Sequence, residues 1–133
     1  MRFQKRLQHF FIDMRDMMRL PRFFVSASFA FFLLLLTAAL PLWRIVPLGS
    51  ARPFIPLHYN IYLGVDRLGA WQQIFILPIL GISLFLFNLL LQTFVFPQEK
   101  LLAFLISIAT TVLELIFFVA MVLIVLMNIS YAS

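Results

Sequence analysis

Cysteine is absent from this sequence. Disulfides, thiolate zinc sites, iron–sulfur clusters and cysteine nucleophiles are thereby excluded. Charge is nearly as scarce. Charged residues make up 11% of the 133 positions and hydrophobic residues 64%, whereas a soluble domain carries roughly 25% charged residues. So few charges do not coat a water-soluble surface around a chain this small, so lipid is the expected solvent for most of it. Acidic residues number five and histidines two, which leaves little material for acid–base or metal chemistry. No cleavable signal pattern is evident. The first apolar run follows a long charged segment and is long enough to span a bilayer, as a retained anchor does.

The charge that is present is uneven. The formal net charge is +5. Residues 1–22 hold Arg2, Lys5, Arg6, Arg15, Arg19 and Arg22 against Asp13 and Asp16. A basic segment flush against an apolar run reads as a bilayer-facing flank, and nucleic acid is not an expected partner. Within this segment Phe3, Leu7, Phe10, Phe11, Met14, Met17 and Met18 recur at steps of three and four, which places them on one helical face. Arg2, Lys5, Arg6, His9, Asp13, Asp16 and Arg19 fall mostly on the other. Such a helix lies flat in the membrane interface; the alternative is packing on a partner's cytoplasmic surface. Pro21 ends it, because the residue before a proline is pushed out of helical geometry.

The rest predicts an all-α integral membrane protein: the amphipathic interfacial helix, then one three-span membrane domain over residues 23–133. The spans are expected at about 23–42, 71–96 and 101–127, each long enough for the roughly 30 Å hydrocarbon core. Pro41 fits termination of the first, with Trp43 as an interfacial anchor. Pro78 and Gly81 predict a bend in the second. The short link 96–100 joins the second and third as a helical hairpin. Between the first two spans, residues 44–70 form a loop that Pro47, Pro53, Pro56, Gly49, Gly64 and Gly69 keep out of regular helix. Within it, alternation over residues 58–63 permits a short extended piece, and 64–69 reads as a turn with Asp66 capping backbone amides. With the amino terminus cytoplasmic, the inside carries seven Lys/Arg residues and the outside Arg44, Arg52 and Arg67. That asymmetry favours this orientation, with the carboxy terminus outside and a bacterial plasma membrane as the location.

Polar residues inside the spans are few enough to name. Glu114 lies about 20 Å into the third span, near mid-bilayer. Intramembrane carboxylates are functional candidates by default; the bland alternative is a protonated carboxyl that hydrogen-bonds a neighbouring helix. Matching depths across the helical hairpin predicts that Glu114 bonds near Ser83 and that Asn88 bonds near Thr110. Ser26, Ser28 and Thr37 join these contacts or bond their own backbone. Gly81, Ser83 and Ala109 permit close helix packing. No helix pairs two histidines, so haem ligation has no support.

The densest polar constellation is in the loop: Pro56, His58, Tyr59 and Asn60, then Gly64 and Asp66. His58 and Asp66 are two firm ligands, short of the three or four a metal requires, and no nucleophile is evident beside them. No metal, cofactor or enzymatic activity is expected. A folded loop in which His58 and Asp66 bond backbone groups and Gly64 supplies a positive φ is the simplest reading, with ligand or partner binding next. The motif resembles a bacterial membrane domain of unknown function found in SdpI-like toxin-immunity proteins, which carry a first span, a Pro-x-His-aromatic-Asn stretch, a following Gly and Asp, and a second span. The resemblance covers about residues 25–95 and is shared with short uncharacterised membrane proteins of candidate-phylum bacteria. It implies toxin immunity or sensing as one function.

The leading expectation is a noncatalytic membrane protein that binds a partner or ligand through residues 52–70, or a small subunit of a larger assembly or homo-oligomer. The alternatives are a proton- or ion-translocating component using Glu114, which requires water at that carboxylate, and a bilayer-surface enzyme using His58 and Asp66, which requires their side chains to converge.

Overall fold

The computed structural model describes residues 2–49 and 52–130, and the side chains from Gln4 onward. The last three residues of the expected outer tail lie outside the described residues, as do the side chains of Arg2 and Phe3 on the amino-terminal helix. The chain is 79% helical. Its elements are α1 (Arg2–Met18), α2 (Pro21–Arg44), the single turn α3 (Val46–Gly49), strands β1 (Phe54–Asn60) and β2 (Gly64–Ala70), a 3₁₀ segment (Trp71–Phe75), α4 (Ile76–Val95) and α5 (Lys100–Ser130). The stretches Pro21–Gly49, Trp71–Val95 and Lys100–Ser130 are long and apolar enough to cross a membrane.

Proline placement explains where helices begin. Leu20 is extended, with ψ 121°, and Pro21 opens α2; a missing N–H is harmless in a first turn. Pro78 likewise falls in the first turn of α4, after the 3₁₀ segment. It therefore stands at the start of that α-helix, where its missing N–H is tolerated. Pro41 departs from expectation. It is buried inside α2, which runs on to Arg44, and Ile45 N–H donates to the Pro41 carbonyl at 2.9 Å. Proline removes one ladder bond, and tertiary burial of its ring carries the helix through.

α5 is the central helix. It packs against α2 and α4, and it also meets β1. Its buried residues are Ala103, Ser107, Thr110, Glu114, Met121, Val125 and Asn128, a stripe with alternating steps of three and four (one doubled). That spacing keeps one face of a helix on its neighbours. The stripe is layered. At the α1 end, Met17, Phe23, Phe96 and Ala103 form an apolar cluster, with Phe23 edge-on to Phe96 at 5.5 Å. At the hairpin end, Ile45, Ile55, Ile74, Met121 and Val125 form a second. Between them the buried positions of α5, Ser107, Thr110 and Glu114, are polar. Lipid chains are as apolar as leucine, so helix faces in the hydrocarbon gain little by burying leucine and associate through close packing and hydrogen bonds.

The all-α expectation fails between the first two spans. Residues 54–70 form a two-stranded antiparallel hairpin, paired from Phe54↔Ala70 to Asn60↔Gly64. Two observations account for it. Asn60 Oδ1 accepts the Tyr62 N–H at 2.9 Å, and Gly64 has φ +75°, a conformation in which a side chain is strained. Together they reverse the chain over residues 61–63, so the turn lies before Gly64 and the expected turn at 64–69 is strand β2.

Candidate functional site

Two regions bring the sequence-predicted polar residues together, one at the hairpin and one inside the helix bundle. At the hairpin, the pairs Pro56↔Leu68 and Tyr59↔Val65 share one register, which extended inward sets His58 across from Asp66; the ladder is irregular at this point. His58 Nδ1 and Asp66 Oδ1 are 2.7 Å apart, a short, charge-assisted distance. With its proton on Nδ1 the imidazole donates to the carboxylate. Asp66 thus pairs with a side chain and does not cap backbone amides. His58 is exposed and Asp66 is the more shielded of the two.

The hairpin is anchored at its base. Ile55 is buried in the apolar cluster at the hairpin end of the bundle. Asn128, near the end of α5, donates to the Pro56 carbonyl and to the Ile124 carbonyl, both at 2.8 Å. Sequence reasoning assigned Asn128 to the tail and missed this role. The available signal was its place on the same three-and-four spacing as Ser107, Thr110 and Glu114. The hairpin tip is free of the bundle: Ile61, Tyr62 and Leu63 are 81%, 90% and 77% exposed. Between β1 and α5 lies an open groove of about 600 Å³, walled by Leu57, Leu123, Ile124 and Met127 and rimmed by His58, Tyr59 and Ser130. Ser130 Oγ donates to the Leu126 carbonyl at 3.0 Å.

Inside the bundle, Asn88 Nδ2 donates to Thr110 Oγ1 at 3.0 Å, the pairing that depth matching gives. Glu114 does not meet Ser83. Ser83 is exposed and donates to the Ile79 carbonyl at 2.8 Å. Counting residues along a helix fixes depth but leaves rotation open, and Ser83 faces outward, as does Ala109. Glu114 is fully buried, and neither carboxyl oxygen has a hydrogen-bond partner among the described residues. It lies against Gly81 of α4, as does Leu34 of α2: a Cβ at Gly81 would lie 3.0 Å from Glu114 Oε2 and 2.9 Å from Leu34 Cδ1. Of the α2 hydroxyls, Thr37 donates to its own Leu33 carbonyl at 2.9 Å. Ser26 receives a bond from Ser107 Oγ at 2.8 Å and lies 2.9 Å from Thr111 Oγ1. Ser28 is exposed.

Among the described residues no three His, Asp or Glu side chains converge as a metal-binding group would. Neither models of known protein families nor curated proteins nor solved structures match this chain.

Proposed function

We propose that this chain is a noncatalytic, multi-pass protein of a bacterial plasma membrane that binds a partner membrane protein or ligand through the hairpin of residues 52–70. The observation that carries this reading is the contrast within the hairpin: its base is clamped by Ile55 and by the Asn128–Pro56 bond, while Ile61, Tyr62 and Leu63 at its tip are almost fully exposed. An apolar tip on a fixed base is the anatomy of a docking element, since exposed aromatic and aliphatic residues gain most from burial in a partner. In this reading the basic α1 lies on the cytoplasmic face, where its exposed Leu7 and Phe11 meet lipid, and the hairpin lies outside. Partnering with a larger assembly or a second copy completes the bundle. The resemblance to SdpI-like proteins makes a toxin the relevant ligand in one version, for which His58→Ala loses protection without loss of protein.

The test is photocrosslinking from position 62, and separately from 59, in native membranes, followed by mass spectrometry. Capture of one protein, or of a second copy, from position 62 supports the reading; capture of lipid alone overturns it.

A second reading, acid–base catalysis at the membrane surface, draws on the 2.7 Å His58–Asp66 distance. That geometry suits an oriented general base. Its weakness is the nucleophile, because the Ser130 hydroxyl on the groove rim is directed to the Leu126 carbonyl. Release of fatty acid from phospholipid vesicles by the purified chain, abolished in Asp66→Asn, would favour it over binding. Translocation through Glu114 needs water at that carboxyl, and its full burial against Gly81 gives it no support.

A further inference from the structure

At the end of the bundle opposite the hairpin, a second groove runs between α2 and α5. It has a volume of about 500 Å³. Pro21 and Arg22 stand at its mouth, and Val25, Phe29, Ile108 and Val112 line its length. The distance from Arg22 to Phe29 along α2 is about 10 Å at 1.5 Å per residue. One leaflet of the roughly 30 Å hydrocarbon core is about 15 Å deep. The groove therefore starts at the helix end and covers most of one leaflet.

Its chemistry is split by depth. The hydroxyls in its floor are turned on one another: Ser107 donates to Ser26, and Ser26 lies 2.9 Å from Thr111. What the groove offers below its mouth is apolar. At the mouth, the Arg22 guanidinium is held 5.3 Å from the centroids of both the Phe23 and Phe104 rings. Those rings fix its position by cation–π attraction and leave its charge unneutralised. Among the described residues no carboxylate pairs with it: Asp16 engages Arg15 and Arg19, and Asp66 engages His58. A positioned guanidinium beside an open apolar slot matches an anion that carries a tail.

We infer that this groove binds one anionic glycerophospholipid of the surrounding bilayer, with its phosphate on Arg22 and an acyl chain along Val25, Phe29, Ile108 and Val112. The planar fork of arginine suits phosphate oxygens, and basic pockets between membrane helices take such headgroups. The site shares no residue with the hairpin and stands whether or not the hairpin has a partner.

The test is native mass spectrometry of the full chain in detergent, offered equimolar phosphatidylglycerol and phosphatidylcholine. The wild type is expected to retain one phosphatidylglycerol in preference to phosphatidylcholine. Arg22→Gln is expected to reduce that preference about fivefold, the weight of one basic side chain at an anionic surface. Lys5→Gln, at an exposed position of α1 that does not line the groove, is expected to change it less than Arg22→Gln does. Val112→Trp fills the slot without touching the charge and is expected to remove the retained lipid. Equal retention of the two lipids by the wild type overturns the inference. So does an Arg22→Gln effect no larger than that of Lys5→Gln, or full phosphatidylglycerol retention by Val112→Trp.

Discussion

Glu114 illustrates how much a single residue's depth conveys and how much it omits. The sequence places a carboxyl at mid-span; the structure places it against Gly81 with both oxygens unpartnered. A buried polar group without a partner costs about 1–3 kcal/mol. Glu114→Met is therefore expected to raise the free energy of unfolding in detergent by about 1–3 kcal/mol, as measured by denaturant titration. If the gain comes with a loss of cellular activity, Glu114 is retained for function at the expense of stability. Gly81→Ala forces a methyl group into the same contact and is expected to cost about 1–3 kcal/mol through overpacking. The two sites touch, so their effects are not additive: Glu114→Ala should restore part of what Gly81→Ala loses, the 2.9 Å approach to Leu34 remaining. Additive losses would show that the crowding lies elsewhere.

At the scale of elements, the hairpin and α5 are coupled at one point. Asn128→Leu removes the donor to the Pro56 carbonyl and is expected to loosen residues 54–70 while the spans keep their protection, as read by amide hydrogen exchange. Gly64→Ala tests the turn itself. Nothing lies within 4 Å of the added methyl, so the expected cost is left-handed backbone strain alone, about 1–2 kcal/mol. Faster exchange in both strands with unchanged exchange in α4 and α5 is the predicted result. The hairpin was only partly legible in the sequence. Extended character over residues 58–60 and the positive φ at Gly64 were readable from alternation and residue type. The second strand was not, because Gly64, Asp66 and Gly69 are turn-favouring residues, and cross-strand pairing with Phe54–Asn60 overrides that preference.

For the whole molecule, the proposed orientation puts the hairpin tip and the α4–α5 link on opposite sides of the membrane. The native chain has no cysteine, so single-cysteine variants report topology without background. Tyr62→Cys is expected to react with an impermeant maleimide in intact cells, and Gln98→Cys only after permeabilisation. The reverse pattern would invert the orientation, placing the hairpin on the inner side. The layered bundle also orders the effects of disruption. Asn88→Leu removes the 3.0 Å bond to Thr110 and is expected to cost about 0.6–2 kcal/mol of helix association, without altering topology.

The sequence by itself determined what depends on composition and periodicity: three apolar stretches of spanning length, a basic first segment, a tight α4–α5 turn, and the height of each polar residue along its helix. Those properties are local, because hydrocarbon thickness and helical rise act on every residue independently of its neighbours. Only the tertiary structure decided what depends on rotation and long-range pairing. It turned Ser83 outward, set Glu114 against Gly81, brought Asp66 onto His58, and used Asn128 to hold a strand seventy-two positions earlier in the chain. An apolar helix carries a weak facing signal when lipid and protein interior are equally oily. Its orientation about its own axis is then fixed by the few small and polar contacts that form when all three helices meet.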